Sequence, residues 1–107
     1  MLRESKIDVY NYGTGAKVNG IYKKGDLAFV KTIYGDIQDF STELFIKQYG
    51  ENIEVNKMMY TCFDNNIKIG TVLQYTNAYG EVEKGEVKKL LIFKRHMEIF
   101  TLGIGGN

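Results

Sequence analysis

Few residues in this 107-residue chain are of types that do chemistry, and their spacing decides what each offers. Gly13-Thr14-Gly15-Ala16-Lys17 has the glycines and the lysine of a phosphate loop. It lacks the full spacing of such a loop and the long helix that must follow, so it reads as a plain loop. Asp64-Asn65-Asn66 supplies oxygens of the kind calcium takes, but the spaced acids and the terminal glutamate of a calcium loop are missing, and a turn is expected. His96 is the lone histidine and has no Cys or His companion with which to form a zinc or catalytic site. Cys62 is the one cysteine, which excludes an intrachain disulfide and a cysteine-based zinc cluster, fits a reducing compartment, and suits a small buried apolar residue equally well.

Lys88, Lys89, Lys94 and Arg95, with His96, form the densest basic group. Strand alternation would set Lys88 with Lys94, or Lys89 with Arg95, on a common side, although most such groups are merely solvated. Eight tyrosines and six phenylalanines offer rings for stacking on bases, with Tyr60, Phe63 and Tyr75 as candidates, yet a net charge of +1 favours protein contacts over nucleic-acid contacts. With no nucleophile beside a base, no ligand set and no phosphate cradle, the chain is expected not to be an enzyme. No catalytic residue, cofactor or metal is assigned.

The elements that position these residues are mostly strands. One helix is predicted over residues 42–49: Ser41 is a capping residue, Phe40 and Phe45 are spaced as a hydrophobic staple, Glu43 suits the positive helix start, and Gly50 provides a left-handed exit. A helix of about two turns does not stand alone in water, so Leu44, Phe45 and Tyr49 must pack on a sheet. Strands are expected over Lys6–Tyr12, around an Asn19-Gly20 hairpin turn, and over Leu27–Ile37 with a bend or bulge at Gly35. Further strands are expected from Ile53 to Phe63 with both faces partly covered, from Thr71 to Thr76, from Glu86 to Phe93 after a polar loop at 77–85, and from Met97 to Leu102. Five to seven short strands with one helix predict a mainly β fold, a small antiparallel β-barrel that leaves no open sheet edge.

Length bounds the chain to a single domain over residues 1–107, with a C-terminal tail at 103–107 expected to fray. No run reaches the roughly 20 apolar residues of a spanning helix, and MLRESKIDVY has charges where a signal peptide places its apolar segment, so an intracellular protein is expected.

The pattern from residue 6 to 102 resembles the head-completion proteins of tailed phages, also called head-closure or stopper proteins. The resemblance is carried by Ala28 to Gln38 ending in Gly35-Asp36-Ile37-Gln38, by Asp39-Phe40-Ser41-Thr42-Glu43, and by the short helix to Gly50 with the strand after it. It continues through Ile69-Gly70-Thr71-Val72-Leu73-Gln74-Tyr75 and Lys89 to Leu102; Asp39 stands where the family often has proline. The resemblance implies a structural virion protein of the head-tail connector, assembled in the host cytoplasm. It would form a ring with copies of itself below the portal and adaptor, retain packaged double-stranded DNA, and dock a tail-terminator or tail-tube protein, without membrane contact. It also implies that the region around the helix lies between subunits. Asp36, Gln38, Asp39, Phe40, Asn52, Glu54 and Asn56 are therefore the expected interface residues, mobile in the free protein, and Lys88, Lys89, Lys94 and Arg95 the expected DNA-channel or docking contacts. The alternatives are another neck or tail-completion protein such as a tail terminator, an OB-like nucleic-acid-binding barrel, and a small inhibitor of a host defence enzyme.

Overall fold

The computed structural model describes residues 5–13, 16–18, 21–23, 25–77 and 79–104. Its strands are β1 (Ser5–Tyr12), β2 (Ala16–Val18), β3 (Ile21–Lys23), β4 (Leu27–Asp39), β5 (Lys57–Cys62), β6 (Val72–Thr76), β7 (Val82–Ile92) and β8 (His96–Gly103), with the helix α1 (Thr42–Tyr49) between β4 and β5. Six strands close into an antiparallel barrel in the order β1-β4-β5-β8-β7-β6, and β2 pairs with β3 as a separate hairpin. The fold is thus mainly β, a closed antiparallel barrel with one short helix. Among the described residues the eight strands exceed the expected five to seven, because the two-stranded sheet adds to the six of the barrel.

Alternation along the strands divides the apolar residues into two cores. Side chains pointing into the barrel, among them Ile7, Val9, Met59, Leu73, Val87, Met97 and Ile99, fill the first. The second lies outside the barrel wall, where Phe100 of β8 packs with Phe40, Phe45 and Val55, and Met58 and Leu91 border it. Successive residues Ile99 and Phe100 therefore belong to different cores, as period-two alternation requires.

The helix closes the outer core as its local sequence predicts. Ser41 Oγ accepts from the Leu44 backbone N–H at 3.1 Å, and Gly50 exits with φ of 73°, its N–H donating to the Ile46 carbonyl. Phe40 and Phe45 meet edge to face at 6.4 Å, and Phe45 meets Phe100 at 5.0 Å. Complete burial of one such side chain contributes roughly 1.5–3 kcal/mol, more than an isolated eight-residue helix supplies by itself. Packing therefore decides that this helix forms. Leu44 departs from expectation: it faces outward with Ile46, 38% and 40% exposed respectively.

Other departures have physical causes. Residues 53–56 are not strand, because their backbone groups bond elsewhere. The Val55 N–H donates to Thr42 Oγ1 and the Val55 carbonyl accepts from that hydroxyl, both at 3.0 Å, while Asn56 N–H donates to the Thr101 carbonyl at 2.8 Å. Strand β4 continues through Gly35 without a bulge, and the ladder to β1 and the ladder to β5 overlap there. A Cβ on Gly35 would lie 2.4 Å from Thr61 Cγ2 and 2.7 Å from the Tyr60 carbonyl oxygen, so the close approach of β5 requires this glycine. The register shifts fall elsewhere, opposite Val9–Tyr10 on β4 and at Lys88 on β7. Strand β7 begins at Val82, which shortens the polar loop, and β8 extends to Gly103. Gly103 and Ile104 are tied down rather than frayed, their N–H groups donating to Asn56 Oδ1 and to the Lys84 carbonyl at 3.0 Å each. The predicted Asn19-Gly20 turn and the end of the tail at 105–107 lie outside the described residues.

Candidate functional site

Antiparallel order gives the barrel two unlike ends. At one end, the loop from Phe63 to Thr71 and the turn Phe93–Arg95 stand beside the start of β4. At the other lie the turn 77–81, the end of β8 and the connection from β4 to β5, whose α1 folds back against the outer wall on Phe100 and whose Asn56 is tied to Thr101 and Gly103. Both ends carry exposed apolar side chains: Phe63, Ile69, Ile92 and Phe93 at the first, Leu44, Ile46 and Tyr79 at the second.

The β4–β5–β8 wall between them has an ordered outer face. Register places Asp36, Tyr60 and Glu98 in one cross-strand row and Gln38, Met58 and Phe100 in the next, while Cys62 pairs with His96. His96 is sandwiched between Tyr60 and Phe93, each ring centroid 4.6 Å from the imidazole and nearly parallel to it. A cleft of about 170 Å³ opens beside this stack, lined by Tyr34, Asp36, Tyr60, Cys62 and His96 over the backbone of Gly35 and Thr61. Cys62 is thus exposed, not a buried apolar residue, and His96 opens β8 just past the hairpin tip. The Phe93 ring reaches His96 within the β7–β8 turn, where the Phe93 N–H donates to the His96 carbonyl at 2.9 Å, whereas Tyr60 arrives only through the register of β5 against β8, which leaves no local signal.

The interface residues expected from sequence divide. Asp36 and Gln38 lie on β4, with Gln38 Nε2 donating to Asp36 Oδ2 at 2.7 Å. Asp39 is exposed and ion-paired with Lys57, and Asn52 and Glu54 face solvent. Phe40 is a correction: at 8% exposure it belongs to the outer core and is unavailable to a partner. Asn56 is engaged within the chain by Gly103 and Thr101. Burial of Phe40 and Val55 also makes 40–56 part of the folded monomer, against the expectation that this region waits for assembly to order.

The basic group does not form a stripe. Lys88 pairs with Glu86 and Lys89 with Glu51, each at 3.0 Å, and the register shift at Lys88 interrupts the alternation that would have aligned them with the turn residues. Lys94 and Arg95 lie exposed in that turn. Of the three rings considered for base stacking, Tyr60 and Phe63 are exposed, whereas Tyr75 is in the barrel core. Burial, with Glu83 beside it, pushes the Tyr75 hydroxyl up to about 12. Burial and the charge and hydrogen bond of Glu98 likewise raise Tyr49.

The Asp64 turn forms as expected, with Oδ1 accepting from the Asn66 N–H at 2.9 Å, and it is anchored by an ion pair to Lys31 at 2.7 Å. Burial opposes the Asp64 charge, but the hydrogen bonds from Lys31 and Asn66 outweigh it and hold the carboxyl below the usual aspartate range. Thr14 and Gly15 of the lysine-ending loop lie outside the described residues. Among the described residues no group of three or more His, Cys, Asp or Glu side chains could hold a metal ion, and no helix is long and apolar enough to cross a membrane. No protein-family model matches the chain, and no curated protein matches it in sequence.

Proposed function

We propose that this protein is a structural component of a phage neck, a head-completion barrel that assembles into a ring below the portal and adaptor, retains packaged DNA and docks the tail. The observation that carries this reading is a pair of unlike, separate apolar surfaces: Leu44 and Ile46 on the outer face of α1, in the connection from one end of the barrel, and Phe63, Ile69, Ile92 and Phe93 at the opposite end. Subunits that meet head to tail need two different adhesive surfaces, and a component stacked between two neighbours needs them at opposite ends. Its role is mechanical, and closure of the six strands into a barrel leaves none of them as a full-length edge strand.

The test is electron microscopy of particles assembled with and without the protein. Without it, filled heads are expected to lose DNA and remain unjoined to tails, and adding it back should restore a ring at the portal vertex. Normal tailed particles formed in its absence would refute the proposal. One observation favours a second reading, a nucleic-acid-binding barrel: the Tyr60–His96–Phe93 stack adjoins Lys94 and Arg95. Titration with single-stranded oligonucleotides at physiological salt separates the two, since the neck component should bind them negligibly.

A further inference from the structure

The cleft beside Tyr60 shares only Asp36 with the interface expected for the ring, and its chemistry is specific. At about 170 Å³ it is smaller than the roughly 300 Å³ at which pockets for drug-sized ligands begin, so it suits the head group of one side chain. Tyr34 and Tyr60, 57% and 38% exposed, flank it from neighbouring strands. Asp36 supplies a carboxylate, and the 2.7 Å hydrogen bond from Gln38 to its Oδ2 steadies that group. The thiol of Cys62 and the edge of the ring stack complete the wall.

We propose that this cleft seats a guanidinium group, an arginine side chain presented by a partner protein. Aromatic faces attract cations, and a planar guanidinium stacks on them while its N–H fork donates to a carboxylate. A lysine ammonium matches less well, because it is a compact, strongly hydrated charge without a plane to stack. A nucleobase would gain the same ring contacts but would bring its phosphates towards Asp36. The cations that would welcome phosphate, Lys94 and Arg95, lie in the turn and do not line the cleft. Complementarity of charge within the cleft therefore selects a cationic guest over an anionic one.

The test is an NMR titration of the isotopically labelled full chain with N-acetyl-argininamide, N-acetyl-lysinamide and an oligothymidylate. Saturable shifts are expected at the amides of residues 34–36, 60–62 and 96 with argininamide, several-fold weaker ones with lysinamide, and none there with the oligothymidylate. Asp36→Asn should weaken argininamide binding about tenfold, with the rest of its spectrum reporting that the fold is intact. Tyr34→Leu, at an exposed position, provides a second loss-of-binding variant. Lys94→Gln combined with Arg95→Gln should leave argininamide binding unchanged. The proposal is overturned by the absence of saturable shifts at these amides or by full affinity in Asp36→Asn. It is also overturned by oligothymidylate binding at these amides that the turn substitutions abolish, which would assign the face to nucleic acid. None of these outcomes bears on the neck reading, which is tested on assembled particles.

Discussion

Asp64 ties the loop after β5 to the wall of the barrel. Its carboxyl is shared between Lys31 and Asn66, and its ionised form is favoured in the fold. Because the folded group holds its proton less tightly than the unfolded one, its contribution to stability is present above the ordinary aspartate range and is lost as pH falls through the lower folded value. Thermal unfolding followed from neutral pH into acid should show Asp64→Asn less stable than the parent at neutrality, with the gap closing at low pH. A constant gap would mean that the ion pair is not the source. Gly35 gives a second residue-scale outcome. Gly35→Ala brings a methyl against both the Thr61 side chain and the Tyr60 carbonyl, so it should cost about 1–3 kcal/mol in chemical denaturation. Thr61→Ala should rescue it only in part, since the carbonyl contact at 2.7 Å remains.

At the scale of elements, α1 contains its own test. Phe45→Ala should cost about 3–5 kcal/mol, because it empties the centre of the outer core. Leu44→Ala, one residue earlier and facing outward, should shift stability by no more than about 0.5 kcal/mol. Equal denaturation midpoints for the two variants would contradict the packing described. The helix was legible in the sequence because its determinants are local: the cap at Ser41, the staple from Phe40 to Phe45 and the exit at Gly50 lie within one stretch. The start of β5 was not, since what diverts 53–56 from the ladder is the Thr42 hydroxyl and the distant Thr101 carbonyl. The register shift at Lys88 had no sequence mark either, and it undid the expected grouping of basic residues. The candidate cleft is half visible in the sequence: Asp36, Tyr60, Cys62 and His96 each stand out by residue type, but their meeting depends on pairings across three strands.

For the whole molecule, the alternation of Ile99 and Phe100 joins the inner and outer cores through one strand. Neither core can be lost while β8 keeps its place. Near-ultraviolet and far-ultraviolet circular dichroism should therefore report a single coincident unfolding transition. An earlier near-ultraviolet transition would reveal an outer core that melts separately.

The barrel is closed by its narrowest seam. Strands β1 and β6 meet only from Ile7↔Tyr75 to Tyr10↔Val72, whereas β1 follows β4 from Ser5↔Gly35 to Tyr12↔Leu27. Fewer ladder bonds hold that join, so a barrel that breathes parts there first, with β1 swinging away as a flap still hinged on β4. The strand it leaves exposed, β6, would accept an identical β1 from another copy. The same short join that completes each barrel is thus also the place where two molecules at high concentration can trade strands.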